Sequence, residues 1–457
     1  MSKNRYEIDM CNGTIMDKLI SFCIPLMLTN VLQLLFNAVD IIVVGKFAGS
    51  SALAAVGSTT ALINMIINLF IGVSLGANVI SARFFATDMR NEMSETVHTA
   101  ITFAIVSGIA VMILGIIITR TALVLMDTPD DVINQSVLYM KIYFCGLPFF
   151  MVYNYAASIL RAVGDTKHPL YYLIIAGVIN ACLNLVMVIK FDMGVAGVAI
   201  ATVASQLISC FLVMRLLCKS TGSYKFEFKK ISIRWKYLKE IFKIGIPAGL
   251  QSTVINFSNA LLQSSVNSFG SDAMAGYTAA NNILGFLYVT VNSITQGCLS
   301  FTSQNYAVRK LKRMDRVFID CLIIQCTLPL ALGILSYVFG PQILGIYTDS
   351  ADVVTYGMEI LSITTIPYFL CGIMDMLPGV LRGMGHSTMP MILSVIGTVG
   401  TRIIWIYGLF PSHRSLSFLF ISYPGSWIFT ILMQLCCYVV VRKKVSKLFG
   451  TTKEAHN

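Results

Sequence analysis

Asp40 lies in the run Asn37-Ala38-Val39-Asp40-Ile41-Ile42-Val43-Val44, with no basic residue within one helical turn of it. Holding a charge in so apolar a stretch costs several kcal/mol, so an ionisable group there is a candidate for function. A lone carboxylate in a low-dielectric site can take and release a proton, and with enough oxygen ligands it can hold Na+. A helix-packing hydrogen bond is the plain structural alternative. Asn180 and Asn184 stand four apart and therefore share one helix face. Further along, Asp375 precedes Arg382 by seven positions, and Arg402 follows Pro390 by twelve. At about 1.5 Å of rise per residue, Asp375 and Arg402 differ in depth by roughly a turn, which brings an ion pair within reach. Two readings of that pair stand: a static brace, or an acid that meets cationic substrate or a second proton.

The elements that position these groups are long and greasy. Of 457 residues, 56% are hydrophobic and 12% charged, against about 25% charged in soluble domains. Mean hydropathy is +0.76, and apolar runs of about twenty residues or more recur throughout. This predicts an all-α polytopic membrane protein. A transmembrane barrel would show segments of about ten alternating residues instead. Twelve spans can be read, from about Leu19–Val44 through a tenth at Val354–Val380 to a last at Leu416–Val441. The opening residues mix Lys3, Arg5, Glu7, Asp9, Asp17 and Lys18 without a small-residue cleavage site, so the first span is expected to be retained. The 12 cysteines fall mostly inside apolar runs and read as small buried residues, with no disulfide or zinc spacing.

One stretch occurs twice. Leu160-Arg161-Ala162-Val163-Gly164-Asp165-Thr166-Lys167-His168-Pro169 returns as Leu381-Arg382-Gly383-Met384-Gly385-His386-Ser387-Thr388-Met389-Pro390, with Leu, Arg, Gly and Pro each 221 positions later. Ile24-Pro25 returns as Ile246-Pro247, and Gly76 falls opposite Gly297. A fixed offset near half the chain marks a duplication. Each half holds six spans, an even number, so both should cross in the same sense about an axis along the membrane normal. The expected parts are 1–18, a first lobe 19–218, a basic linker 219–240, a second lobe 241–441 and a tail 442–457. The net charge of +11 is concentrated in short loops and does not point to nucleic acid. Lys219 to Lys243, Arg309 to Arg316 and Arg442 to Lys447 fall on one side, whereas Asp127, Asp130, Asp131, Asp349 and Asp352 fall on the other. The positive-inside rule places both termini in the cytoplasm.

These residues resemble the MATE family of multidrug and toxin extrusion transporters. The resemblance is carried by Gly49 to Ala55, by Leu160 to Pro169, by Gly194-Val-Ala-Gly-Val-Ala-Ile-Ala-Thr202, by Ile246-Pro247-Ala248 and by Tyr423-Pro424-Gly425-Ser426-Trp427. It covers Ile15 to about Lys444. It implies two six-helix lobes in a V around a central cavity, in a bacterial inner membrane, and export of organic cations coupled to H+ or Na+ entry. It also implies an acidic coupling residue at Asp40, with Asn154, Asn180, Asn184 and Thr202 around it and Na+ as an option at Asp40, Asn180 and Thr202. This chain departs from the family's usual Leu-Asn-x-x-Leu-Asp by carrying an amide at Asn184. One titratable acid in the first lobe shifts the expectation from Na+ to H+.

The remaining cavity candidates are Asn37, Gln251, Asn256, Tyr277, Asn282, Asp375 and Arg402. Met- and aromatic-rich positions such as Met65, Phe149, Tyr153 and Tyr288 suit an adaptable drug surface, or equally packing and lipid contact. The reading is a monomeric secondary active exporter, in contact with membrane lipids, with no cofactor. A lipid-linked oligosaccharide flippase would call for a strongly cationic cavity. A membrane enzyme would call for clustered acids or histidines, and the five His are scattered. No phosphate-binding loop is present for direct ATP drive.

Overall fold

The computed structural model describes residues 6–126, 128–348 and 350–454, omitting the side chains of Ser50, Ala61 and 451–454. Lys3, Arg5, Asp127, Asp349 and the last three residues of the tail therefore lie outside the described residues. The described chain is helical throughout its ordered elements. The helices are α1 (Met16–Val43), α2 (Ser50–Ala86), α3 (Arg90–Leu125), α4 (Asp130–Ala162), α5 (Lys167–Leu185), α6 (Gly194–Lys219), α7 (Trp235–Asn267), α8 (Ser271–Ala307) and α9 (Leu311–Val338). There follow α10 (Gly340–Gly345), α11 (Ala351–Thr364), α12 (Tyr368–Gly383), α13 (Thr388–Ser394), α14 (Thr401–Ile404) and α15 (Leu416–Glu454).

Among the described residues, ten helices are long and apolar enough to span a membrane, α13 and α14 joining into one run, Thr388–Ser412. An eleventh span is broken: α11 and α12 meet at 52°. The break falls at Thr365-Ile366-Pro367, where proline has no N–H to continue the helical ladder. The tenth span read as one continuous stretch, Val354–Val380, is therefore two helices. The twelfth, α7, is as long as its neighbours, but Gln251, Ser252, Thr253, Asn256, Ser258, Asn259 and Gln263 dilute its hydropathy. Bare faces such as Ile113, Leu114, Ile117 and Ile118 of α3 are apolar, as a lipid-facing surface requires.

The chain folds as two compact units. The first contains Met1–Ile8 and Ile24–Gly245 and is built around α4, which packs on α2, α3 and α6. The second contains Asp9–Cys23 and Ile246–Asn457 and is built around α8 and α12. Two of the three crossings thus fall at an Ile-Pro pair, Ile24-Pro25 and Ile246-Pro247.

The duplication is written in the backbone as well. Gly164 and Gly385, 221 positions apart, have φ of +93° and +91°, a region that only glycine enters cheaply. Asp88 and Arg309, at the same offset, have φ of +51° and +57°. Gly76 and Gly297 are counterparts in packing. A Cβ on Gly76 would strike the carbonyl of Ile241, and one on Gly297 would lie 2.8 Å from Cys23 Sγ. Each glycine lets a helix of its own unit approach closely.

Between α6 and α7 the helix ends at Lys219 and resumes at Trp235. The connection is pinned within the first unit. Tyr224 donates to Glu7 at 2.8 Å, the Glu227 N–H donates to His98 Nε2 at 3.0 Å, and Phe226 stacks on the His98 ring. Lys230, hydrogen-bonded to Glu227, and Lys225 hold that carboxyl below its ordinary range.

Candidate functional site

In the first unit, Asp40 stands near the end of α1, just before a π turn at Val44–Ala48. A second π turn, Val186–Lys190, ends α5 just past Asn184, and the two turns pack together. Such π insertions recur at functional sites because they rotate side chains out of α-helical register. Asp40 Oδ1 accepts a hydrogen bond from Asn184 Nδ2, and Oδ2 accepts one from Thr202 Oγ1 at 3.3 Å. Asn184 also donates to Asn180 Oδ1 at 3.2 Å, while its own Oδ1 is buried without a partner. Asp40, Asn180, Asn184 and Thr202, from α1, α5 and α6, therefore form one cluster. Among the described residues no Lys, Arg or His pairs with Asp40.

Tyr139 and Tyr143 of α4 lie near the same carboxylate, and Gln206, one turn beyond Thr202, lies beside Tyr143. The sequence reading missed all three. The i, i+4 spacing of the two tyrosines was the available signal, since it puts both on one face of α4. Asn154 does not join the cluster. Its amide donates to Phe150 O on its own helix at 2.8 Å. Asn37 is exposed on α1.

In the second unit the expected Asp375–Arg402 pair does not form. Asp375 is half-buried beside Tyr288 of α8, and the opposite charge that acts on it is Arg382 on its own helix. Arg382 donates from Nη2 to Gln251 Oε1 at 2.6 Å. Arg402 donates from Nη1 to Asn259 Oδ1 at 2.6 Å and lies 4.2 Å above the Tyr423 ring. The depth estimate assumed a regular α-helix from Pro390. Instead, π turns at Val395–Gly400 and Trp405–Leu409 bracket Arg402, changing both its rise and its direction. Of the other candidates, Gln251 and Tyr277 are buried, whereas Asn256 and Asn282 are exposed.

A duplicated set of twelve helices with apolar outer faces and polar clusters held at span depth defines a polytopic membrane transporter. The MatE family model matches twice, at residues 25–186 and 247–407, and the chain belongs to that family. It is therefore a transporter and not an enzyme. It is 28% identical over 433 residues to the probable multidrug resistance protein YoeA of Bacillus subtilis, covering 93% of each chain. It is 21% identical to the multidrug export protein MepA of Staphylococcus aureus, covering 82% of this chain and 83% of that protein. A multidrug resistance MATE family transporter of the MOP superfamily, solved in an outward-facing conformation, superposes with a TM-score of 0.89 at 20% identity, covering 98% of this chain and 99% of that one.

Proposed function

We propose that this protein is a multidrug efflux transporter that exports organic, cationic compounds in exchange for protons by alternating access. The observation that carries the reading is the Asp40 cluster: a carboxylate held by an amide and a hydroxyl, with no basic residue among the described residues paired to it. Neutral donors leave the acid free to change charge, whereas a permanent cation would lock it as the anion. Gain or loss of that proton biases two conformations only if they bind it with different affinity. The amide at Asn184 leaves one acid in the cluster, which favours H+ over Na+. A Na+ ion, if used, would meet the oxygens of Asp40, Asn180 and Thr202. The relatives named for multidrug resistance and export support the cargo class.

The distribution of Lys and Arg supports a bacterial inner-membrane location with both termini in the cytoplasm. We take the working form to be a monomer in lipid without a resident cofactor, with lobes at 19–218 and 241–441. The test is efflux of a fluorescent organic cation from proteoliposomes under separately imposed H+ and Na+ gradients. Export driven by H+ and lost in Asp40→Asn supports the reading. Equal transport by Asp40→Asn and parent under both gradients rejects it.

A further inference from the structure

We propose that the second unit contains a binding site for an organic carboxylate, built around Arg402. The first observation is an unmet charge. Arg402 is 3% exposed, yet Nη1 to Asn259 is its one hydrogen bond among the described residues, and its Nε–H is buried without an acceptor. Four acids of this unit's helices face other partners. Asp375 lies beside Tyr288 with Arg382 as its nearest opposite charge, Glu359 holds Ser417, Asp320 pairs with Arg316, and Asp315 forms a two-bond pair with Arg442. A buried guanidinium without a counter-charge is strongly disfavoured, so the arrangement calls for an anion from outside the chain.

The second observation is positional. Asp40 is held between α1, α5 and α6. Arg402 is held between α7, the α13–α14 run and α15, which are the counterparts of those helices in the repeat. Tyr423, under the guanidinium, stands 221 positions after Thr202, the residue that bonds Asp40. Both polar groups adjoin π turns. The same place in the fold therefore carries an acid in one unit and a base in the other.

The surroundings define the ligand. With Nη1 committed to Asn259, the Nε–Nη2 edge is the free fork, and its two parallel donors match a carboxylate. The neighbouring side chains are aromatic. Tyr423 stacks on Phe420 and meets Trp427 edge-on, and Tyr277 both bonds Tyr423 and packs on Phe420. An anion with a flat apolar body fits these groups better than a small hydrated ion, which would forfeit its hydration for ring faces.

The test is binding, independent of transport. The purified full-length protein in nanodiscs is titrated with benzoate, with benzamide as the neutral isostere and chloride and phosphate as inorganic anions. Readouts are tryptophan fluorescence, sensitive at Trp427 and Trp405, and thermal stability, which a ligand of the native state raises. Benzoate should give saturable changes in both, and benzamide none. Arg402→Gln should abolish the response. Arg402→Lys, which keeps the charge without the fork, should weaken it by about tenfold. An unchanged benzoate affinity in either Arg402 variant, an equal response to benzamide, or a response to chloride or phosphate but not to benzoate overturns the proposal. Because transport is not read, failure here leaves the Asp40 reading standing, and the reverse holds too.

Discussion

The Asn184 amide donates to Asp40 Oδ1 although 144 positions separate the two residues. A helix end supplies the acid, and a second helix, four spans later, supplies the donor that orients it. Replacing Asp40 by Asn retains the shape and an acceptor oxygen, so the fold should lose about 1 kcal/mol at most, the net value of a typical hydrogen bond. Proton-driven efflux should fall to the level of empty liposomes. Parallel thermal melts and liposome assays check this, and a large drop in stability would mean the residue is a structural brace.

Asn184→Asp places a second carboxylate against the first. Two anionic groups so close strongly favour a bound cation between them. A Na+ gradient should then drive efflux in the variant and not in the parent. If the variant remains indifferent to Na+ in matched vesicles, the amide is not what sets ion choice.

Gly76→Ala and Gly297→Ala test the duplicated close approaches with a graded outcome. The new methyl at position 76 meets the Ile241 carbonyl and lies 3.1 Å from the Gly245 nitrogen, all backbone. At position 297 it meets the Cys23 and Leu19 side chains, which can turn aside. Over-packing costs roughly 1–3 kcal/mol, and the first variant should sit at the top of that range and the second at the bottom. Thermal denaturation of the two purified variants gives the order, and the opposite order contradicts the packing described.

Gln251→Leu removes the acceptor of Arg382 Nη2, whose Nε is already buried without a partner. The loss of a hydrogen bond to a charged group should destabilise by about 1.5–3 kcal/mol. In the Arg382→Met background the same change should cost much less. A double-mutant cycle measures the difference, and additive effects would rule out the pairing.

The elements themselves were legible because their signals are local. Hydropathy marks a span wherever a segment must sit in lipid, and twelve stretches could be placed, although their ends were not: α15 runs on to Glu454, past the expected Val441. The Arg-x-x-Gly turn and its copy 221 positions on announce the duplication, and Gly164 and Gly385 carry the positive φ that such turns need. Asp40 stood out because a lone acid among Ile and Val has no local reason to be there. The sequence alone therefore determined the class, the number of spans and the repeat, and singled out Asp40 as a candidate.

Which residues meet was decided by the tertiary structure. Asn154 bonds its own helix rather than Asp40, and Arg402 turns to Asn259 and Tyr423 rather than to Asp375. Tyr139 and Tyr143 reach Asp40 from a helix a hundred positions away. The Arg402 outcome follows from π turns, which alter rise and rotation within a run whose hydropathy looks unbroken. Lipid rewards apolar composition at every position of a span. The direction a polar side chain takes is fixed by donors and acceptors on other helices, which the span's own residues do not encode.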